Sequence, residues 1–324
     1  MPDIVCLGEA LIDMVSNQPG MGLIHSTTFE KAAGGATTNV AAGVAILGGE
    51  SGLIAKVGKD HFGEFIRQML FDAGVDLSEF KLSPDYETQL AFVAVSEQGV
   101  PDFSFHVKRS ADQMLLASEV SATYIESAQA FHFGSITLIN EPARAATLRA
   151  VEIASDAGLL ITYDPNLRPP LWPSLDDAHE WITEGVKLCD VIKVSEEELQ
   201  FITGLDVPER AAEALWHMGP ELIAITRGPQ GCYYYNGSEF GEVPGFEVTV
   251  EETTGCGDAF MAATLVWLLE SDKDVSDMDT DDLQALFRFA NAAGALTATG
   301  KGAIPSLPGR EEVYELLGIT PEED

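Results

Sequence analysis

Short apolar runs rich in β-branched residues alternate along this chain with longer runs whose apolar positions recur at helical spacing. The first, Ile4-Val-Cys-Leu-Gly8, reads as a buried strand. The pattern then predicts strands over 51–57, 159–163, 191–194 and 222–226. It predicts helices over 62–73, 143–157, 175–188, 196–203, 209–218, 257–269 and 283–299. Alternation of this kind implies an α/β fold, a mostly parallel central sheet with helices on both faces. Two regions break the rhythm. Residues 13–29 hold glycines and short apolar pieces without a helical period, and 88–107 shows near period-2 alternation around Gln98-Gly99, predicting an antiparallel hairpin. Together they suggest a small β appendage that shields a cleft from water. The expected division is a core of residues 1–12, 30–87 and 109–324, with a discontinuous β lid of 13–29 and 88–108.

Composition narrows the function. With 324 residues, 46% of them hydrophobic, the chain can bury a large core. No apolar run reaches the roughly 18–20 residues a membrane span needs, and the acid in Met1-Pro-Asp-Ile-Val5 does not suit a signal peptide. Cys6, Cys189, Cys232 and Cys256 are scattered, with no Cys-x-x-Cys and no histidine cluster, which fits a reducing cytoplasm better than a zinc or disulfide framework. Eighteen basic residues face 52 acidic ones, a net charge of −34, so binding nucleic acid through a basic face is excluded. Acid is densest in 271–282, read as an exposed loop, and in 321–324. Its wide distribution fits either a surface suited to high salt, where self-repulsion is screened, or simply an acidic protein. An anionic substrate would need these few cations gathered locally.

Glu252-Thr-Thr-Gly-Cys-Gly-Asp258 is the most chemically suggestive segment. Glycines before a helix let an anion approach its unpaired N–H groups, and Asp258 in the first turn sits beside them. That pairing points to phosphoryl transfer, the amides holding charge while Asp258 accepts a hydroxyl proton. By itself, an Asp there is ordinary helix capping. Gly34-Gly35-Ala-Thr-Thr-Asn39 brings backbone and an amide side chain to a ligand, but it is no dinucleotide fingerprint, and the chain has no P-loop. Asp13 lies just past the first strand, and Asp164-Pro-Asn166-Leu-Arg168 lies at another strand end, where ligands bind in open α/β sheets. Ser195 with Glu198 forms a capping box, sufficient reason for both; a carboxylate near phosphate can also orient Mg²⁺ through water. Thr226-Arg-Gly228-Pro-Gln-Gly231 is a tight turn on which a nucleotide can lie, or a plain hairpin turn.

Taken together, Gly34-Gly35-x-x-x-Asn39, Thr253-Thr-Gly-Cys-Gly-Asp-Ala-Phe260 and Gly302-Ala-Ile-Pro-Ser306 resemble the ribokinase-like carbohydrate kinases over nearly the whole chain. Phe131-His-Phe-Gly134-Ser135, Asp164-Pro-Asn-Leu-Arg168 with Leu171-Trp-Pro-Ser174, and Lys193-Val-Ser-Glu-Glu-Glu198 are most similar to fructokinases. The resemblance implies ATP and Mg²⁺, with Asp258 as base and Gly255, Cys256 and Gly257 as the anion hole. It assigns Asp13, Gly34, Gly35, Asn39 and Arg109 to the sugar. Thr226, Gly228, Gly231 and Asn291 would contact the nucleotide, with Asn166, Arg168, Lys193 and Glu198 around phosphate and Mg²⁺. It further implies a K⁺ site at Glu252, Thr254, Thr297, Gly300, Gly302 and Ser306, and a homodimer formed through the lid. Glu252 stands where the family usually has Asp, and its extra methylene carries the carboxylate outward; Cys256 replaces the usual Ala. The implied reaction is fructose to fructose 6-phosphate, with 2-keto-3-deoxygluconate, ribose or a nucleoside as alternative acceptors, and a non-catalytic binding relative as the rival of another class.

Overall fold

The computed structural model describes residues 1–18, 20–95 and 101–319. Thirteen strands occur among them: β1 (Ile4–Leu7), β2 (Leu11–Ser16), β3 (Phe29–Gly34), β4 (Ser51–Gly58), β5 (Phe80–Ser83), β6 (Gln89–Val95), β7 (Pro101–Phe105), β8 (Ala130–Gly134), β9 (Leu160–Asp164), β10 (Val191–Ser195), β11 (Leu222–Thr226), β12 (Cys232–Tyr235) and β13 (Phe240–Val243). Nine form one sheet in the order β13-β12-β11-β10-β9-β8-β1-β4-β5. It is parallel from β11 to β5, and β12 and β13 add an antiparallel edge.

Period-2 alternation divides the strands between two cores. Val5, Leu7, Phe131, Phe133, Ile192, Ile223 and Ile225 face one side, under helices Ala143–Asp156, Leu175–Val186, Glu196–Thr203 and Pro208–Trp216. Ile4, Cys6, Ala130, Val191, Leu222 and Ala224 face the other, under Ala36–Ile46, His61–Ala73, Cys256–Glu270 and Thr280–Thr297. Burial on both faces explains why these strands read as continuous apolar runs.

The two irregular regions meet in a second sheet of order β3-β2-β6-β7. Its outer pairs are antiparallel and its central β2–β6 pair is parallel. The predicted hairpin is the β6–β7 pair; its Gln98-Gly99 turn lies outside the described residues, as does the acidic tail 321–324. β3 carries this sheet through Gly34, past the Phe29 limit expected from sequence.

The reading of 271–282 as an exposed loop needs correction. Val275 and Met278 are buried, and Asp279 caps a helix that begins at Thr280, three residues ahead of its predicted start. Asp279 accepts the N–H groups of Asp281 and Asp282, so the acids serve the helix start rather than only solvent.

No helix among the described residues is long and apolar enough to cross a membrane. Eighteen cations cannot neutralise 52 acids, so most surface carboxylates repel one another. Raising KCl from 0.1 to 1 M shortens the screening length from about 10 to about 3 Å and is expected to raise the melting temperature by on the order of 10 °C. Calorimetry checks this, and a flat or falling Tm would contradict it.

Candidate active site

Two largely buried helices, Ala36–Ile46 and Cys256–Glu270, bring the site together. Gly43 lies one turn beyond Asn39, and Ala262 one turn beyond Asp258. A Cβ on Gly43 would come within 2.7 Å of the Ala262 Cβ, so only glycine permits this approach of the helices. The helices therefore present Asn39 and Asp258 to each other across 219 residues of sequence, and Asn39 Nδ2 donates to Asp258 Oδ2 at 2.7 Å.

Asp258 is 7% exposed in the first turn of Cys256–Glu270. Burial, reinforced by the nearby Asp164 charge, pushes its carboxyl up to about 6, while Asn39, Lys193 and Arg168 pull the other way. Its second oxygen, Oδ1, has only a long 3.5 Å contact from Asn166 Nδ2. That leaves one oxygen fixed and one available to accept a proton. Before it, Gly255 is left-handed at φ 85°, with no side-chain cap on the helix. The first-turn N–H groups of Gly257 and Asp258 have no intrahelical acceptor. The Cys256 N–H makes a long 3.3 Å bond to the Thr253 carbonyl, and burial pushes its thiol up to about 11, so it brings no negative charge to the cradle.

Lys193 supplies positive charge at the same point. A Cβ on Gly257 would lie 2.9 Å from its Nζ, so the ammonium packs directly against the cradle's glycine. Lys193 is 7% exposed and donates to Asp164 Oδ2 at 2.8 Å. Burial alone would lower its pKa, but the charges of Asp164 and Glu198 outweigh that and raise it.

Asp164 ends β9, and its Oδ1 accepts the Asn166 N–H at 3.1 Å. Asn166 has φ 42°, a left-handed conformation Asn tolerates better than most residues. The loop is pinned from the other side by Glu198, whose Oε1 accepts the Leu167 N–H at 2.7 Å and whose Oε2 accepts the Ser195 N–H at 2.8 Å. Glu198 therefore completes the expected capping box and also fixes the loop that carries Asn166 and Arg168. Arg168 makes no ion pair among the described residues, and its charge acts on both Asp13 and Asp258.

On the opposite side, Asp13 on β2 lies within electrostatic reach of Arg168, Glu252 and Asp258. Burial pushes its carboxyl up to about 7, Arg168 opposes this, and Glu252 and Asp258 add to it. A Cβ on Gly34 would strike Asp13 Oδ2 at 2.1 Å, and one on Gly35 would strike the Glu9 carbonyl at 2.3 Å. Both glycines are thus demanded by close approach. Arg109 is exposed on the turn after β7 and has no hydrogen bond or ion pair among the described residues.

Glu9 escaped the sequence reading. Its Oε1 accepts the Ala36 N–H at 2.7 Å and its carbonyl accepts the Thr38 hydroxyl at 2.8 Å, fixing the start of the Asn39 helix. Burial raises it to about 7, with Asp112 and Asp258 contributing. An acid inside the apolar stretch Val5–Ile12 was the available signal.

The remaining residues divide into two groups. Thr226 ends β11 beside Ser195, and the Gly228–Gln230 turn returns to β12. A Cβ on Gly231 would meet the Val243 carbonyl at 2.1 Å, and Asn291 Nδ2 donates to that same carbonyl at 3.1 Å. Thr226, Gly231 and Asn291 thus frame one strip of backbone next to the sheet's carboxyl edge. In the other group, Glu252 Oε2 accepts the Gly302 N–H at 2.9 Å and Oε1 accepts the Thr254 hydroxyl at 2.5 Å. Thr297 turns its hydroxyl back onto the Ala293 carbonyl of its own helix. Gly300 packs on Ser306, whose Oγ would be 2.4 Å from a Cβ there. Among the described residues no three Asp, Glu, His or Cys side chains gather to hold a metal.

A buried carboxylate, a lysine and a helix N-terminus converging at the carboxyl edge of a parallel sheet define a phosphotransferase with an alcohol acceptor. The pfkB family carbohydrate kinase signature matches residues 1–310, and the chain belongs to that family. It is 44% identical to fructokinase-1 of Oryza sativa subsp. japonica, the alignment covering 97% of each chain. Among solved structures it is similar to a fructokinase with bound ATP from Xylella fastidiosa, at TM-score 0.89 and 31% identity, covering 98% of this chain and 99% of that one. A fructokinase double mutant from Vibrio cholerae O395, in fructose-, ADP- and potassium-bound form, aligns at TM-score 0.86 and 33% identity, covering 97% and 98%.

Proposed function

We propose that this protein transfers the γ-phosphate of ATP to a primary hydroxyl of fructose, giving fructose 6-phosphate and ADP. The observation that carries the reading is Asp258, with one oxygen held by Asn39 and the other open, in the first turn of a helix whose glycine touches Lys193. The sugar lies between Asp13 and Asn39, with its acceptor hydroxyl about 3 Å from Asp258 Oδ1. As the O–P bond forms and the bond to ADP breaks, the hydroxyl proton passes to Asp258. Lys193, Arg168 and the Gly255–Gly257 amides hold the migrating charge. The transition state is loose and needs little activation of the nucleophile, so positioning and charge stabilisation dominate. The nucleotide lies along Thr226, Gly228, Gly231 and Asn291.

Mg²⁺ bound with the nucleotide would neutralise phosphate charge. Such an ion takes most of its ligands from phosphates and water, which suits a site where Glu198, its two oxygens held by the Leu167 and Ser195 N–H groups, would reach it through water. The small sheet serves as a lid: β2 carries Asp13 and β3 ends in Gly34, so its position and the sugar's are linked. Beside it Met21 and Ile24 are exposed, an apolar surface suited to a second copy in a lid-mediated homodimer; sedimentation tests that. The four free thiols suit a reducing cytoplasm.

Comparing kcat/KM for fructose, ribose, 2-keto-3-deoxygluconate and a nucleoside, each with ATP, tests the substrate. Fructose is expected to lead by at least about tenfold, since one missing hydroxyl contact costs that much or more. A lead for the keto acid would bring the exposed Lys108-Arg109 pair into the sugar site. No turnover with any of them would favour the binding module.

A further inference from the structure

We propose that Glu9 and Asp112 act as a buried acid pair at the root of the small sheet, positioning the sugar site while the pair keeps a proton and loosening it once both are ionised. The kinetic consequence rests on the kinase reading; the pairing itself does not.

The chain passes between the core and the small sheet four times: from β1 to β2, from β3 to helix Ala36–Ile46, from β5 to β6, and through residues 106–112 after β7. Glu9 ties the first two crossings through its bonds to the Ala36 N–H and the Thr38 hydroxyl. Buried Gln89 ties the last two. Its Nε2 donates to the Val107 carbonyl at 3.0 Å and to Ser110 Oγ at 3.1 Å, and its Oε1 accepts the Val107 N–H at 3.0 Å. The Ala111 N–H adds a bond to the Glu87 carbonyl at 2.9 Å. The two halves meet where β2 pairs with β6, Leu11 beside Gln89. Glu9 stands two residues before Leu11, and the Ser110 hydroxyl joins Gln89 to Asp112. Asp13 and Gly34 leave this root on β2 and β3, so its rigidity is passed to the sugar site.

Glu9 is 1% exposed and Asp112 5%, and neither has a cation partner among the described residues. Lys56, which reaches the end of the Asp112–Met114 turn from β4, is committed to Glu119 and the Met114 carbonyl. On helix Ala143–Asp156, which packs on the same turn, Arg144 is held by the Leu138 and Ile139 carbonyls and Arg149 by Glu152. Lys108 and Arg109 are exposed, and helix Ala36–Ile46 carries no charged side chain. The other charge acting on Glu9 is that of Asp258, a further acid. The Ser110 hydroxyl and the N–H groups of Asp112 and Gln113 serve the ionised Asp112, whose Oδ1 has no partner among the described residues. Burial pushes Asp112 up to about 6 and Glu9 up to about 7, and Asp112, ionising first, adds its charge against Glu9. Protons therefore leave the pair in two linked steps. Above the second step the root holds two like charges without a counter-ion, and only moving apart relieves them.

The test is a melting cycle on the full chain at pH 5 and pH 8, built from Asp112→Asn, Glu9→Gln and the double variant. Each amide keeps a carbonyl oxygen for the N–H groups its carboxyl serves, so the fold is preserved. At pH 8 each single variant is expected to raise Tm by about 3 °C. The double variant should gain less than the sum by at least about 2 °C, because removing either charge ends the same repulsion. At pH 5 the effects should add to within about 1 °C. With ATP, Mg²⁺ and fructose at pH 8, Asp112→Asn should lower the fructose KM about threefold, with kcat and the ATP KM within about twofold. That is the change expected if the competent fraction rises from about one third to nearly all. The difference should vanish at pH 6, where the pair keeps a proton. Ionisation of Asp13 strengthens its hold on sugar hydroxyls over the same range and works against the trend, so variant and wild type are compared at each pH. Glu9→Gln should move KM the same way, which keeps the measurement decisive if the other variant misfolds. Strict additivity at pH 8, or a KM effect of equal size at pH 6 and pH 8, would overturn the proposal. Wild-type protein that turns over no sugar defeats the kinase reading instead, and the melting cycle still decides the pair.

Discussion

Asp258→Asn is expected to lower kcat by on the order of 10²–10⁴-fold, the range of general acid–base catalysis, while leaving ATP affinity nearly unchanged. The substitution preserves shape, and the Asn39 amide can still donate to the new carbonyl oxygen, so the helix pairing through Gly43 survives. What is lost is the proton acceptor at Oδ1. Activity within tenfold of wild type would remove Asp258 from the role of base. The same carboxyl sets a pH profile. With its pKa at about 6, log kcat/KM should fall with unit slope below that pH and level off above it. Stability should run the other way. A carboxyl whose folded pKa exceeds its unfolded value binds protons more tightly in the native state, so stability is lost as pH rises from about 4 to the folded pKa. For Asp258, a rise from 3.8 to about 6 corresponds to ~3 kcal/mol against the fold at neutral pH. Glu9 and Asp13, both near 7, and Asp112, near 6, add in the same direction. Lowering pH from 8 to 5.5 should therefore raise Tm while activity declines, and Asp258→Asn should melt higher than wild type at pH 8. An inactive variant that also melts lower would be a folding casualty, not a missing base.

The parallel sheet was legible because its strands, buried on both faces, read as apolar runs bounded by helix periods. The site's acids and glycines were legible because strand ends and helix starts are where polar residues interrupt those runs. Other features left weaker traces. Helix Ala36–Ile46 is buried all round and built of Ala, Gly, Val and Thr, so it shows no amphipathic period and reads only as a small-residue run. β8 appeared only within the Phe131–Ser135 motif, because the buried His132 interrupts its apolar run. The start of helix Thr280–Thr297 was hidden because capping acids look like solvated loop. The bonds of Glu9 to Ala36 and of Glu252 to Gly302 span 27 and 50 residues, and no local pattern specifies such partners. Lys193 was the exception: an isolated lysine inside an apolar strand demands a buried partner, although nothing nearby says that the partner is Asp164.

That pair gives the largest expected effect on stability. Lys193→Met removes the ammonium and leaves Asp164, 1% exposed, with an unpaired charge. Breaking one side of a buried pair costs about 3–5 kcal/mol, because the surviving charge has lost both water and partner. At a few degrees per kcal/mol the melting temperature should drop by on the order of 10 °C. Pairing it with Asp164→Asn should recover much of this, since two neutral groups of similar volume can replace a buried ion pair at little cost. The Asn166 N–H would keep an acceptor on the new side chain, so the loop that carries Asn166 and Arg168 should hold. Activity should not return with stability: the cation against Gly257 is still missing, and kcat should stay at least about 100-fold down in the double variant. Recovery of both together would make Lys193 a purely structural residue. Denaturant titrations at fixed salt, read beside steady-state rates on the same preparations, separate the two, and salt must be fixed because added KCl alone is expected to stabilise this acidic surface.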